Sequence, residues 1–190
     1  MPWMVWAILL PLILAAISFL WPRRASGLGL FAAVTTLGGA LALVRAVWVG
    51  GPLRYTVGGW GAPLGIDLYA DGLSALMVLV TAVVGAAVSL YAAGYFAHGT
   101  RERAYFWSLW LMLWAALDGL FLSADLFNIY VTLELLGLSA AALTALSGGV
   151  AALGAAVRYL LVGLARSLLF LFGVALLFAA FGTLFLPLLR

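Results

Sequence analysis

The sequence predicts an all-α polytopic membrane protein of about six transmembrane helices, with a short hairpin or interfacial loop between helices 2 and 3. Composition is the first reason: 67% of the 190 residues are hydrophobic, 8% are charged, and mean hydropathy is +1.25. Too little polar surface remains to clothe a soluble fold. The second reason is spacing, because apolar runs of bilayer length fall at residues 3–21, 29–49, 73–96, 104–123, 126–146 and 157–181. The third is the segment at residues 50–67, where Gly51, Pro52, Gly58, Gly59, Gly61, Pro63 and Gly65 interrupt Tyr55, Val57 and Trp60. Glycine and proline at that density break helices and favour turns.

The first run lacks a basic leader and is followed by Pro22, Arg23 and Arg24, so it reads as a membrane span with a stop rather than a cleaved signal. Trp48 and Trp60 flank the turn-rich segment and suit the headgroup level. Asp71 precedes the third run and reads as its N-cap, as Asp125 does for the fifth, with Asn128 three residues on. Thr81, Gly85 and Ser89 recur every four residues on the third run, and Gly163 and Ser167 on the sixth, as packing seams. Arg23, Arg24, Arg101 and Arg103 load one set of loops, which the positive-inside rule places in the cytoplasm. Both termini then face outward in the cell membrane, with Arg54 as a basic residue on the outer side.

All nine basic residues are Arg and six acids oppose them, a formal +3 spread over several loops, so nucleic acid is not a partner. With no Cys and the single His98, the chain offers no thiolate, paired haem ligation or zinc set, and no cofactor is expected. No reactive constellation for an intramembrane enzyme emerges either.

Glu134 is the most informative residue. Counting in from Asp125 gives roughly 14 Å of helical rise, about half of a ~30 Å hydrocarbon core. A charge at that depth costs about 2.5–3.5 kcal/mol on insertion scales, so it must be neutralised, paired or hydrated, each of which points to charge movement. Arg158 lies near the cytoplasmic interface, where snorkelling accounts for it. Arg166 is roughly 12 Å deeper on the same helix and also approaches the midplane. A guanidinium there stays charged, and pairing between Glu134 and Arg166 across the fifth and sixth helices would neutralise both. Asp118 leaves two readings open: a carboxylate hydrogen-bonded near the outer surface, or a point where protons enter or leave.

The runs IDLYADGLSALMVLVTAVVGAAVSLYAAGYF, GLFLSADLFNIYVTLELLGLSAAALTAL and VRYLLVGLARSLLFLFGVALLFAAFGTL, spanning residues 65–186, resemble the antiporter-like membrane subunits of respiratory complex I (NADH:quinone oxidoreductase) and the Mrp-type cation/proton antiporters, above all the Mrp D-type subunit. The most specific part is LSADLFNIYVTLELL. Hydropathy and loop charge make residues 1–64 two N-terminal helices plus an extracytoplasmic loop, which agree with the family only in position and hydropathy, and the resemblance implies that residues 65–190 form the N-terminal part of a proton-conducting domain. It places Glu134 at the family's fifth-helix glutamate, which takes part in proton transfer, and Arg158 at a basic residue, usually Lys, that opens the sixth helix. Arg166 stands where relatives often carry a small or hydroxyl residue, so its pairing would depart from family chemistry. Glu134, Arg166, Asp118 and Arg158 are thus the candidate translocation residues.

Relatives have about fourteen helices in two inverted units; this chain matches the first part and holds no Lys. The resemblance therefore implies a split subunit completed by another chain, or a truncated remnant. The leading functional expectation is a component of a complex translocating H+ and Na+ or K+, in contact with other membrane subunits and lipid. The alternative is a structural or assembly scaffold with no conduction of its own.

Overall fold

The computed structural model describes residues 3–59, 65–96 and 101–186, with backbone alone for 101–104. Trp60 and His98, and the side chains of Arg101 and Arg103, lie outside the described residues. The elements are α1 (Trp3–Leu20), a 3-10 turn (Pro22–Arg24), α2 (Ala25–Gly50), β1 (Leu53–Thr56), a second 3-10 turn (Val57–Gly59), β2 (Asp67–Ala70), α3 (Gly72–Tyr95), α4 (Arg101–Leu122), α5 (Leu126–Ala145) and α6 (Val150–Phe181). All six helices are long and apolar enough to cross a bilayer, and the protein is an all-α, multi-pass membrane protein.

Helix ends follow local chemistry. Gly51 (φ 79°) stops α2, and Gly182 (φ 67°) stops α6 with its N–H donating to the Phe178 carbonyl, a conformation that glycine adopts without a Cβ penalty. The Asp71 carboxylate accepts from the Ser74 N–H at 2.8 Å and caps α3. α6 begins at Val150, not at 157 as hydropathy alone suggests. The alanine-rich stretch of residues 151–156 is a strong helix former although only mildly apolar.

The hydrogen bond from the Ser74 N–H holds the Asp71 carboxyl below its ordinary value of 3.8. A lowered folded value means that the ionised cap stabilises α3 above the ordinary value, and that this contribution disappears as pH falls through the lower one. Amide-exchange protection at Ser74 is expected to decline below about pH 4 in the wild type, and to be low and pH-independent in Asp71→Ala.

α1 packs on α4 and α2 on α3, α4 continues onto α5, and α5 alone carries α6 as a principal neighbour. One core cluster joins Met4, Leu14, Ala33, Leu43, Leu68, Val78, Leu111 and Trp114 from α1 to α4. A second, smaller cluster joins Ala25, Ala92 and Trp107, and in each cluster a tryptophan packs over a glycine. The Trp107 ring lies over Gly29, and the Trp114 ring over Gly85. The seam on α3 also engages through Trp110, whose Nε1 donates to Ser89 Oγ at 3.0 Å. On α6 only Ser167 of the predicted seam is buried, whereas Gly163 faces open space.

At one end of the bundle β1 and β2 form an antiparallel hairpin, with Leu53 opposite Ala70 and Thr56 opposite Asp67. The same end holds the α4–α5 turn and the segment leaving α6.

Candidate functional site: a cavity between α5 and α6

The start of α5 sets the height of its polar residue. Asp125 Oδ1 accepts from the N–H groups of Phe127 (2.8 Å) and Asn128 (3.1 Å). Asn128 Nδ2 donates to Ser123 Oγ at 2.9 Å, and Ser123 Oγ to the Gly119 carbonyl at 2.6 Å. This network satisfies helix-end donors that would otherwise be orphaned. Asp125→Ala is expected to cost about 1–2 kcal/mol, measured as a lower unfolding midpoint of the purified protein together with faster amide exchange at Phe127 and Asn128.

From that start, Glu134 falls near mid-length of α5 and is half-buried. Arg166 falls near mid-length of α6 and is exposed within the isolated chain. Both line one cavity of about 190 Å3, together with Gly137, Tyr159, Leu160 and Gly163. A water needs about 10–15 Å3 of such space, so the cavity is large enough to admit water. Gly137 and Gly163 have nothing within 4 Å of a Cβ position, so the absence of side chains there leaves the cavity open.

The structure thus brings Glu134 and Arg166 to one cavity without direct contact. Among the described residues the ion pair within 4.0 Å is Arg54–Asp67. Arg158 stands apart from the cavity. It is exposed, its Nε donates to the Gly154 carbonyl at 3.1 Å, and it lies about two turns inside α6 rather than opening it, a correction that follows from the early start of that helix.

Asp118 is also separate. It is 1% exposed on α4, and Oδ1 has no hydrogen-bond partner among the described residues. Trp114 Nε1, one turn earlier, likewise has none.

Sequence reading passed over Asp67. It is fully buried, accepting from Arg54 Nη2 at 2.8 Å and from Thr56 Oγ1 at 2.6 Å. The available signal was the alternation of Arg54 and Thr56 on one prospective strand, which puts both on one face. The residue that seemed a stray outer charge is the partner of a buried acid.

A family profile described as NADH-Ubiquinone oxidoreductase (complex I), chain 5 N-terminus, matches residues 58–106. The chain is 41% identical over 160 residues to NADH-quinone oxidoreductase subunit N of Desulforudis audaxviator, covering 83% of this chain and 32% of that protein. It is 39% identical over 142 residues to the D-type subunit of the Na(+)/H(+) antiporter of Bacillus subtilis, covering 75% and 29%. Among solved structures, a chain of the membrane-bound sulfane sulfur reductase, an archaeal respiratory membrane complex, superposes with TM-score 0.87 at 30% identity, over 96% of this chain and 38% of that one. A chain of the Mrp complex from Dietzia sp. superposes with TM-score 0.84 at 27% identity, over 97% and 35%. The chain spans about a third of the length of the curated relatives it matches. Fold, motif and relatives agree that this chain is similar to the antiporter-like membrane subunits of respiratory complex I and of the Mrp-type cation/proton antiporters, over about a third of their length.

Proposed function

We propose that this chain forms part of a proton- or cation-translocating subunit in a larger membrane complex, and that Glu134 is its proton-exchanging group. The observation that carries this reading is a carboxyl at mid-length of a membrane helix, lining a cavity large enough to admit water and shared with Arg166. Water reaching the carboxyl lets a proton arrive and leave, whereas lipid would hold it indefinitely. The Arg166 guanidinium supplies a positive counterpart at the same cavity while the charge on Glu134 changes. Asp118, on the neighbouring α4, is a second protonatable group outside this cavity, and Arg158 lies where water at the membrane face is within reach.

H+ is the translocated ion of this reading, and a counter-ion such as the Na+ named in the Bacillus subtilis relative accompanies it if the complex works as an antiporter. The termini lie outside the cell membrane, with Arg23 and Arg24 on the cytoplasmic side. Neighbouring membrane subunits seat on the outer face of α6, where Leu161, Val162, Leu169 and Phe172 are exposed. A scaffold role is the second reading, and that broad apolar face favours it. Ion-gradient-driven proton flux in vesicles carrying the assembled complex separates the two. Loss of flux in Glu134→Gln at normal complex abundance supports translocation, and loss of the complex itself supports scaffolding.

A further inference from the structure

Two isolated backbone bridges tie the two-stranded hairpin to two further segments, an array of four chain segments across one end of the bundle. Leu68 on β2 pairs with Ser123, and Asp125 pairs with Phe185. The Ala124 N–H donates to the Asp67 carbonyl at 3.1 Å, the Leu186 N–H to the Ala124 carbonyl at 3.0 Å, and the Leu126 N–H to the Leu184 carbonyl at 3.1 Å. Residues 123–125, which launch α5, are therefore bonded on one side to β2 and on the other to the segment leaving α6.

One side chain spans that array. The Arg54 guanidinium, on β1, meets the buried Asp67 carboxylate on β2 at 2.8 Å and lies 4.2 Å from the centroid of the Phe185 ring, beyond α6. Phe185 is 4% exposed. A guanidinium can give an edge to a carboxylate and its face to a ring at once, which an ammonium cannot reproduce.

We infer that Arg54, Asp67 and Phe185 form a latch that sets the tilt of α6 against α5, and so the placement of Arg166 relative to Glu134. The need for a latch follows from the packing. α6 buries Ala156, Ser167 and Val174, and α5 is its principal helical neighbour within the chain. Arg166 lies roughly 24 Å of helical rise from Val150, so a swing of about ten degrees about the α5–α6 turn, once the Phe181 end is released, moves it by roughly 4 Å. That displacement is comparable to the width of a water molecule, enough to reshape the shared cavity. Arg54 is on this account a positioning residue, and its effect on transport rests on the reading of Glu134 given above.

The chain contains no Cys, so spin labels can be placed at introduced cysteines without removing native ones from it. In the assembled complex, with other subunits' cysteines replaced, one pair at Phe127→Cys and Phe181→Cys reports the latched end. A second pair at Thr144→Cys and Leu153→Cys reports the opposite end. With Arg54→Gln the first distance distribution is expected to broaden about twofold while the second is unchanged, and flux to fall about fivefold. Arg54→Lys keeps a charge on Asp67 and should fall between. Phe185→Leu preserves the ion pair while removing the ring face, and should broaden the first pair alone; it decides the matter if Arg54→Gln fails to assemble. An unchanged first distribution in Phe185→Leu or in an assembled Arg54→Gln complex, or equal broadening at both ends, overturns the latch. Should Glu134→Gln retain full flux while Arg54→Gln still broadens only the first pair, the transport reading fails and the latch stands.

Discussion

Replacing Glu134 by Gln is expected to reduce ion-coupled proton movement through the assembled complex by about a hundredfold, with complex abundance unchanged. The amide matches the carboxyl in shape and keeps a polar group at the cavity, but it neither takes up nor releases a proton near neutral pH. Because Glu134 makes no direct ion pair or hydrogen bond among the described residues, the exchange should alter stability by no more than about 0.5 kcal/mol. Glu134→Asp keeps the chemistry but withdraws the carboxyl by about 1.5 Å, so partial flux is expected. Gradient-driven quenching of a pH-sensitive dye in everted vesicles, beside immunoblots of the complex, reads both quantities. Full flux in Glu134→Gln would remove Glu134 from the path. If abundance rather than flux collapsed, the residue would be polar glue between helices, and the scaffold reading would replace the transport one.

The largest effect on folding is expected from a single methyl group at Gly29. A Cβ there would lie 2.0 Å from Trp107 Cε3 and 2.3 Å from Cζ3, distances that demand movement of the ring or of the helices. Trp107 is fully buried against Ala25 and Ala92, so the indole has little room to yield. Gly29→Ala should cost about 2–3 kcal/mol through overpacking, which corresponds to a drop of roughly 5–10 °C in the unfolding midpoint for a chain of this size. Gly38→Ala is the matched control on the same helix, with nothing within 4 Å of the added carbon, and should leave the midpoint unchanged or slightly raised. Combining Gly29→Ala with Trp107→Phe should recover part of the loss, since the smaller ring vacates the space that the methyl needs. Equal midpoints for Gly29→Ala and Gly38→Ala would show that the α2–α4 contact is looser than the geometry indicates.

Six membrane helices were legible from hydropathy because each must be apolar over its full bilayer path, whatever its neighbours are. The start of α6 was not legible in that way, since residues 151–156 join the helix through alanine propensity rather than through strong hydrophobicity. That shift moved Arg158 from the mouth of the helix into its third turn. The resemblance was legible through one polar-studded motif around Glu134, where residue types are too costly in lipid to recur by accident. Asp67 escaped notice because its meaning depends on a hairpin register that places residues 54, 56 and 67 together, and only pairing of the strands creates that register.

By itself, the sequence determined depth. Counting residues along an apolar helix gives an expected height in the bilayer, and the count from Asp125 agrees with the place of Glu134 near mid-length of α5. The tertiary structure decided direction and company: that Glu134 and Arg166 share a cavity without touching, that Asp118 is buried in the bundle interior, and that Arg54 reaches from β1 to Phe185 just beyond the end of α6. Rise along a helix is local and additive, whereas the face it turns and the partner it meets arise from packing among segments far apart in the chain.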